Sequence, residues 1–134
     1  MKVYDRALFP APRDLFLESW LGAFSHVSKL YTENGRTRDY ATQRPCLTGY
    51  KIGPLFADTA EIARALLAAV LPSIPEVHNA HEVFIDMPQP NVSAFALAEE
   101  LGLEKVFETA RMYSDHEPEI DLNRVFGVST FELG

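Results

Sequence analysis

The 134-residue chain sets 12 Lys and Arg against 19 Asp and Glu, a net charge of −7, with 47% hydrophobic and 23% charged residues. Residues 1–134 are the length of one domain, and the composition excludes a disordered chain. The acidic balance excludes a cationic nucleic-acid footprint and disfavours an anionic membrane surface, and the lone Cys46 excludes an intrachain disulfide.

No run reaches the roughly 18–20 apolar residues that cross a bilayer, and the first six residues lack the apolar core of a signal peptide, so a cytoplasmic setting without a membrane or nucleic-acid partner is expected. Residues 2–4 suit a short first strand. Residues 14–21 read as a helix, with Phe16, Leu17 and Trp20 on one face. Asn34-Gly35 between residues 26–33 and 36–44 is a strong hairpin signal, because a type I′ turn needs positive φ at both central positions. Residues 50–57 make a third strand. Residues 58–71 make a helix in which Ile62, Leu66 and Val70 recur at helical spacing. Residues 83–87 form an apolar strand of the kind buried on both faces. A second amphipathic helix over 91–101 stops at Gly102. Residues 103–113 and 124–133 then supply two closing strands. Strands joined through helices argue for parallel neighbours in the middle of the sheet, and the hairpin and tail for antiparallel edges.

His78, His81 and Glu82, and separately Asp115-His116-Glu117, fall in loops without the spacing of a metal site and read as solvated residues. Nothing places a base beside Cys46, and no Walker loop or Gly-x-Gly-x-x-Gly turn is present.

The informative stretch is Asn91-Val-Ser-Ala94 through Leu101-Gly102-Leu103, a helix opening after a strand. It resembles the Asn-x-x-Ala helix of the GNAT acetyltransferase superfamily. Gly49-Tyr-Lys-Ile-Gly53-Pro-Leu-Phe-Ala-Asp58 resembles that superfamily's central strand and the turn into its cofactor helix. Tyr4-Asp5-Arg6, Pro12-Arg13, Arg44-Pro45-Cys46, Glu108 to Tyr113 and Arg124-Val-Phe-Gly127 with Phe131-Glu132 narrow the resemblance to the YitH/HolE-type acetyltransferase domain, found as the C-terminal half of longer proteins.

The resemblance implies an α/β fold: a mixed, mostly antiparallel sheet whose central parallel strands splay apart, with helices on both faces. It implies transfer of an acetyl group from acetyl-CoA to the amine of a small molecule or peptide. Main-chain groups of Ile52, Leu55 and Phe56 would hold the cofactor arm, with Asn91 nearby, and the pyrophosphate would sit on the N-terminus of the next helix. Asp86, or Glu82 through a water, would be the base. Each of these residues has a plainer reading, Asn91 as a helix N-cap and Asp86 as the cap of a turn. The sequence also departs from the family pattern. The glycine places of the phosphate loop fall on Ala63 and Glu61, the usual acidic tyrosine falls on Ala98, and Asp58 with Glu61 reads as a capping box. Acetyl-CoA is therefore expected to bind weakly or not at all. A non-catalytic module for regulation or dimerisation is the alternative. The apolar segment around Val125, Phe126, Val128 and Phe131 would then pair with a second copy or a second domain, or else fold back into its own sheet.

Overall fold

In the computed structural model, residues 2–75 and 82–132 are described. In chain order they form α1 (Lys2–Arg6), α2 (Asp14–Gly22), β1 (Val27–Glu33), β2 (Arg36–Cys46), β3 (Gly49–Phe56), α3 (Ala60–Val70), β4 (Glu82–Ile85), α4 (Val92–Glu100) and β5 (Val125–Gly127). Single 3-10 turns follow α3 at Leu71–Ser73 and precede β5 at Leu122–Arg124. The sheet runs β1-β2-β3-β4, and β5 pairs with β3 as well. Among the described residues β3 and β4 are the parallel pair; the remaining pairs are antiparallel. This is the α/β architecture with a mixed, mostly antiparallel sheet that the sequence leads one to expect.

Local chemistry fixes the frame. Asn34 and Gly35 take φ of 51° and 71°, so the turn between β1 and β2 has the two positive φ values its sequence calls for. Between the pairs Ala41↔Leu55 and Gln43↔Ile52, β3 carries one residue more than β2. This bulge turns Ile52 and Leu55 to the same face. There they join Ala63, Leu66, Leu67 and Val70 of α3, Ala94 and Leu97 of α4, and Phe126. A second cluster covers the opposite face: Tyr4, Leu8 and Leu17 pack on Tyr40, Phe56, Val125 and Val128. Helices thus lie on both faces.

Three local expectations are corrected. Residues 2–4 belong to a helix. A strand would point Tyr4 and Asp5 to opposite sides, whereas the helical turn lets Tyr4 reach Asp39 and Asp5 reach Tyr40, neighbours on β2. Residues 103–113 form no strand: they run exposed beside the domain, because β5, the antiparallel partner nearest in sequence, is engaged by β3. The N-cap of α3 is Thr59, whose Oγ1 accepts from Ile62 N at 3.2 Å; Asp58 is drawn away by basic partners. Of the two arrangements expected for the closing segment, the chain adopts the internal one, with Val125, Phe126 and Val128 buried. His78, His81 and Leu133 lie outside the described residues.

Candidate active site

β3 and β4 pair from Gly49↔Glu82 to Ile52↔Ile85 and then part. The chain itself fills the gap beyond. Leu55 faces Gly127 and Phe56 faces Val125 across the β3–β5 pair. Ala57 N donates to Arg124 O, and Val128 N donates to Asp86 O, both at 2.9 Å, so the segment bridges the two parted strands. Two glycines permit the fit. A Cβ on Gly53 would lie 2.4 Å from Val128 O and 2.8 Å from Ser129 O. A Cβ on Gly127 would lie 3.0 Å from Ile85 Cγ2 and 3.3 Å from Leu55 Cβ.

At the fork stands Asp86, 7% exposed. Lys51 comes from β3 on the same side, its Nζ 2.7 Å from Asp86 Oδ2, and the ammonium lies 5.3 Å from the Phe131 ring. Arg44 is the cross-strand partner of Lys51. Its guanidinium sits 5.2 Å from the Trp20 ring, and Trp20 Nε1 donates to Gly53 O at 3.3 Å. His26 Nδ1 lies 2.6 Å from Trp20 O, and burial holds its imidazole below the ordinary histidine range. The site therefore sets the buried Asp86 carboxylate beside two cations, Lys51 and Arg44, which also act on the exposed Glu132 carboxylate, with Trp20 and Phe131 as walls. Sequence reasoning missed the Lys51–Asp86 pair, since only the parallel register brings Lys51 opposite Phe84, two residues before Asp86.

The N-terminus of α3 carries a second polar cluster. Asp58 accepts from Arg124 Nε at 2.6 Å, from Arg38 Nη2 at 3.1 Å and from Tyr4 Oη at 3.1 Å. Burial raises its pKa, but these donors outweigh it and hold Asp58 below the usual carboxylate range. Tyr4 Oη also donates to Asp39 Oδ1 at 2.8 Å, and Asp58 N donates to the same oxygen. Asp39 is fully buried with Oδ2 unbonded, and burial pushes its carboxyl up. The cations here come from distant positions. Arg64, the nearer one in sequence, is held across the helices by Glu100 at 2.9 and 2.6 Å.

The sequence candidates do not all converge. Asp86, Ile52, Leu55 and Phe56 meet at the fork. Glu82 opens β4 at its far end, about 13 Å along the strand from Asp86 at the usual rise, and is exposed. Asn91 is fully buried as the N-cap of α4, accepting from Ala94 N at 2.9 Å. Its Nδ2 donates to Asn123 O at 3.1 Å and Val125 O at 2.8 Å, tying β5 to α4. The main-chain edges of Leu55 and Phe56 pair with β5. A cofactor arm does not fit between β3 and β4 as they stand, nor is the N-terminus of α3 clear of carboxylates.

The fold is compatible with an acetyltransferase-type domain, and the comparisons give that class. The family model described as an acetyltransferase (GNAT) domain matches residues 1–127, and the chain belongs to that family. A relative named holothin acyltransferase, from Pseudoalteromonas sp. (strain SANK 73390), is 24% identical over 131 residues. The match covers 98% of this chain and 44% of that relative, so the chain spans less than half the relative's length. No solved structure matches the chain.

Proposed function

We propose that the chain is an acyltransferase domain that moves an acetyl group from acetyl-CoA to the amine of a small molecule or peptide. The observation that carries this reading is the buried Asp86 carboxylate at the parting of β3 and β4, fixed by Lys51. An amine is protonated at neutral pH and must lose a proton before it can attack a carbonyl carbon. Asp86 would receive that proton, with Lys51 fixing the carboxylate that accepts it. As the C–N bond forms, the thioester C–S bond would break, and the departing thiolate would take up the second proton released by the nitrogen. Trp20 and Phe131 supply apolar walls for the carbon frame of an acceptor. Family membership supports acyl transfer, as does the name of the holothin acyltransferase.

The test is acetyl transfer to a panel of primary amines, followed by mass spectrometry. Asp86→Asn lowers kcat by about 100-fold, the scale of a lost general base. Glu82→Gln brings no such loss, because its carboxylate stands at the other end of β4. Transfer unaffected by Asp86→Asn removes the assignment. A second reading, a non-catalytic module, is favoured by the filled gap and by Asp58 beside the N-terminus of α3. Failure of every amine, with the fold intact, selects it.

A further inference from the structure

The gap that a donor must enter is filled by the chain, and the chain also carries a free strand able to take the filler away. Resting on the acyl-transfer reading, we infer that residues 124–132 are a displaceable plug: closed, they pair with β3, and open, they pair as a hairpin with residues 103–113.

The closed state has a short and irregular hold on the sheet. β5 is three residues long, and its register with β3 shifts between Leu55 and Phe56. Polar latches add to it: Asn91 Nδ2 on Val125 O, Arg13 Nη1 on Ser129 Oγ at 2.9 Å, and Arg124 on Asp58. Every one of these can be exchanged for water or another polar partner as the segment leaves.

The open state has a partner in place. Residues 103–113 have the β-branched, aromatic and alternating composition of a strand, yet they are exposed, with Val106, Phe107 and Met112 largely in solvent. Phe107 already touches Phe131, ring centroids 6.0 Å apart. An antiparallel register set by that contact places Ala110 opposite Val128 and Met112 opposite Phe126 on one face. Thr109 then faces Ser129, Arg111 faces Gly127 and Tyr113 faces Val125. No like charges oppose one another, and residues 114–124 form the loop. The cross-strand pairs cover part of the apolar side chains that leave the two clusters, Val125, Phe126 and Val128, and part of those that residues 103–113 now expose. The same tail thus has two pairings, which is what a two-state element requires. Donor binding draws on the open fraction, so apparent affinity falls in proportion to its scarcity.

The test pins the plug. Leu55→Cys with Gly127→Cys, in a Cys46→Ser background, sets two Cβ atoms near 3.3 Å, close to the roughly 3.5–4.5 Å that a disulfide spans. Oxidised, this protein should bind acetyl-CoA at least about tenfold more weakly by calorimetry than when reduced, with full recovery on reduction. Equal binding in both forms overturns the plug and leaves the acyl-transfer reading standing. Absence of binding by the unaltered chain as well removes that reading; in that case, or where only the variant fails to bind, hydrogen exchange on the unaltered chain decides the movement without any ligand. The Ala57 and Val128 amides should exchange through an opening that leaves the β1–β2 amides protected. Exchange of all these amides at one common rate overturns the plug. The same measurement serves if the double-cysteine variant fails to fold.

Discussion

Tyr4 and Tyr40 each donate a phenolic proton to a buried carboxylate, Asp39 and Asp5, and burial together with those anions raises both phenols far above their ordinary value. The unfolded chain releases these protons near pH 10 while the native chain keeps them. The unfolded state then binds fewer protons, and stability falls as pH rises, by up to about 1.4 kcal/mol per pH unit for each tyrosine. The acid limb is less informative, because Asp39 is raised and Asp58 lowered, and their contributions oppose one another. Urea midpoints from pH 8 to 11 should therefore decline steeply, and Tyr4→Phe and Tyr40→Phe should each flatten the decline while lowering stability at neutral pH. Asp86 could be singled out from sequence, because a carboxylate ending an apolar strand is conspicuous. Its cation could not, nor could the Tyr4–Asp39–Asp58 contacts, which join residues separated by most of a domain's folding.

At the scale of elements, the legible parts are those with local causes. The Asn34-Gly35 turn, the apolar stripe of α3 and the Asn91 cap all follow from residues a few positions apart. The N-terminal helix and the unpaired residues 103–113 do not, since each is decided by a partner elsewhere in the fold. Asn91 illustrates both halves: its cap is local, and its grip on β5 is not. Asn91→Ala removes a cap and the buried donor to Val125 O, a loss of about 2–3 kcal/mol in urea unfolding. Gly53→Ala pushes a methyl into the carbonyl oxygens of Val128 and Ser129, so the segment must shift, at a cost of about 1–3 kcal/mol. Faster exchange of the Val128 amide in Gly53→Ala should accompany that loss. An unchanged midpoint would mean that the segment yields freely.

Over the whole molecule, stability is uneven. Two apolar clusters grip β2 and β3 from both faces, whereas residues 103–117 are exposed throughout. Trypsin should therefore cut after Lys105 and Arg111 well before any bond within β2 or β3, as time-resolved mass spectrometry of the digest would show. Cleavage there should slow when acetyl-CoA is present, because the hairpin state pairs those residues. The acidic charge spread over the exposed surface opposes association of these apolar side chains between copies.

The position of β5 also bears on how the chain is made. Residues that close the middle of the sheet leave the ribosome long after β3 and β4 have done so. A nascent chain released only as far as α4 has its central strands parted and the edge of β3 bare, a surface that chaperones recognise and that neighbouring chains can zip onto. The seal of the domain is thus set by the timing of synthesis, and a stall within residues 103–124 would hold it open.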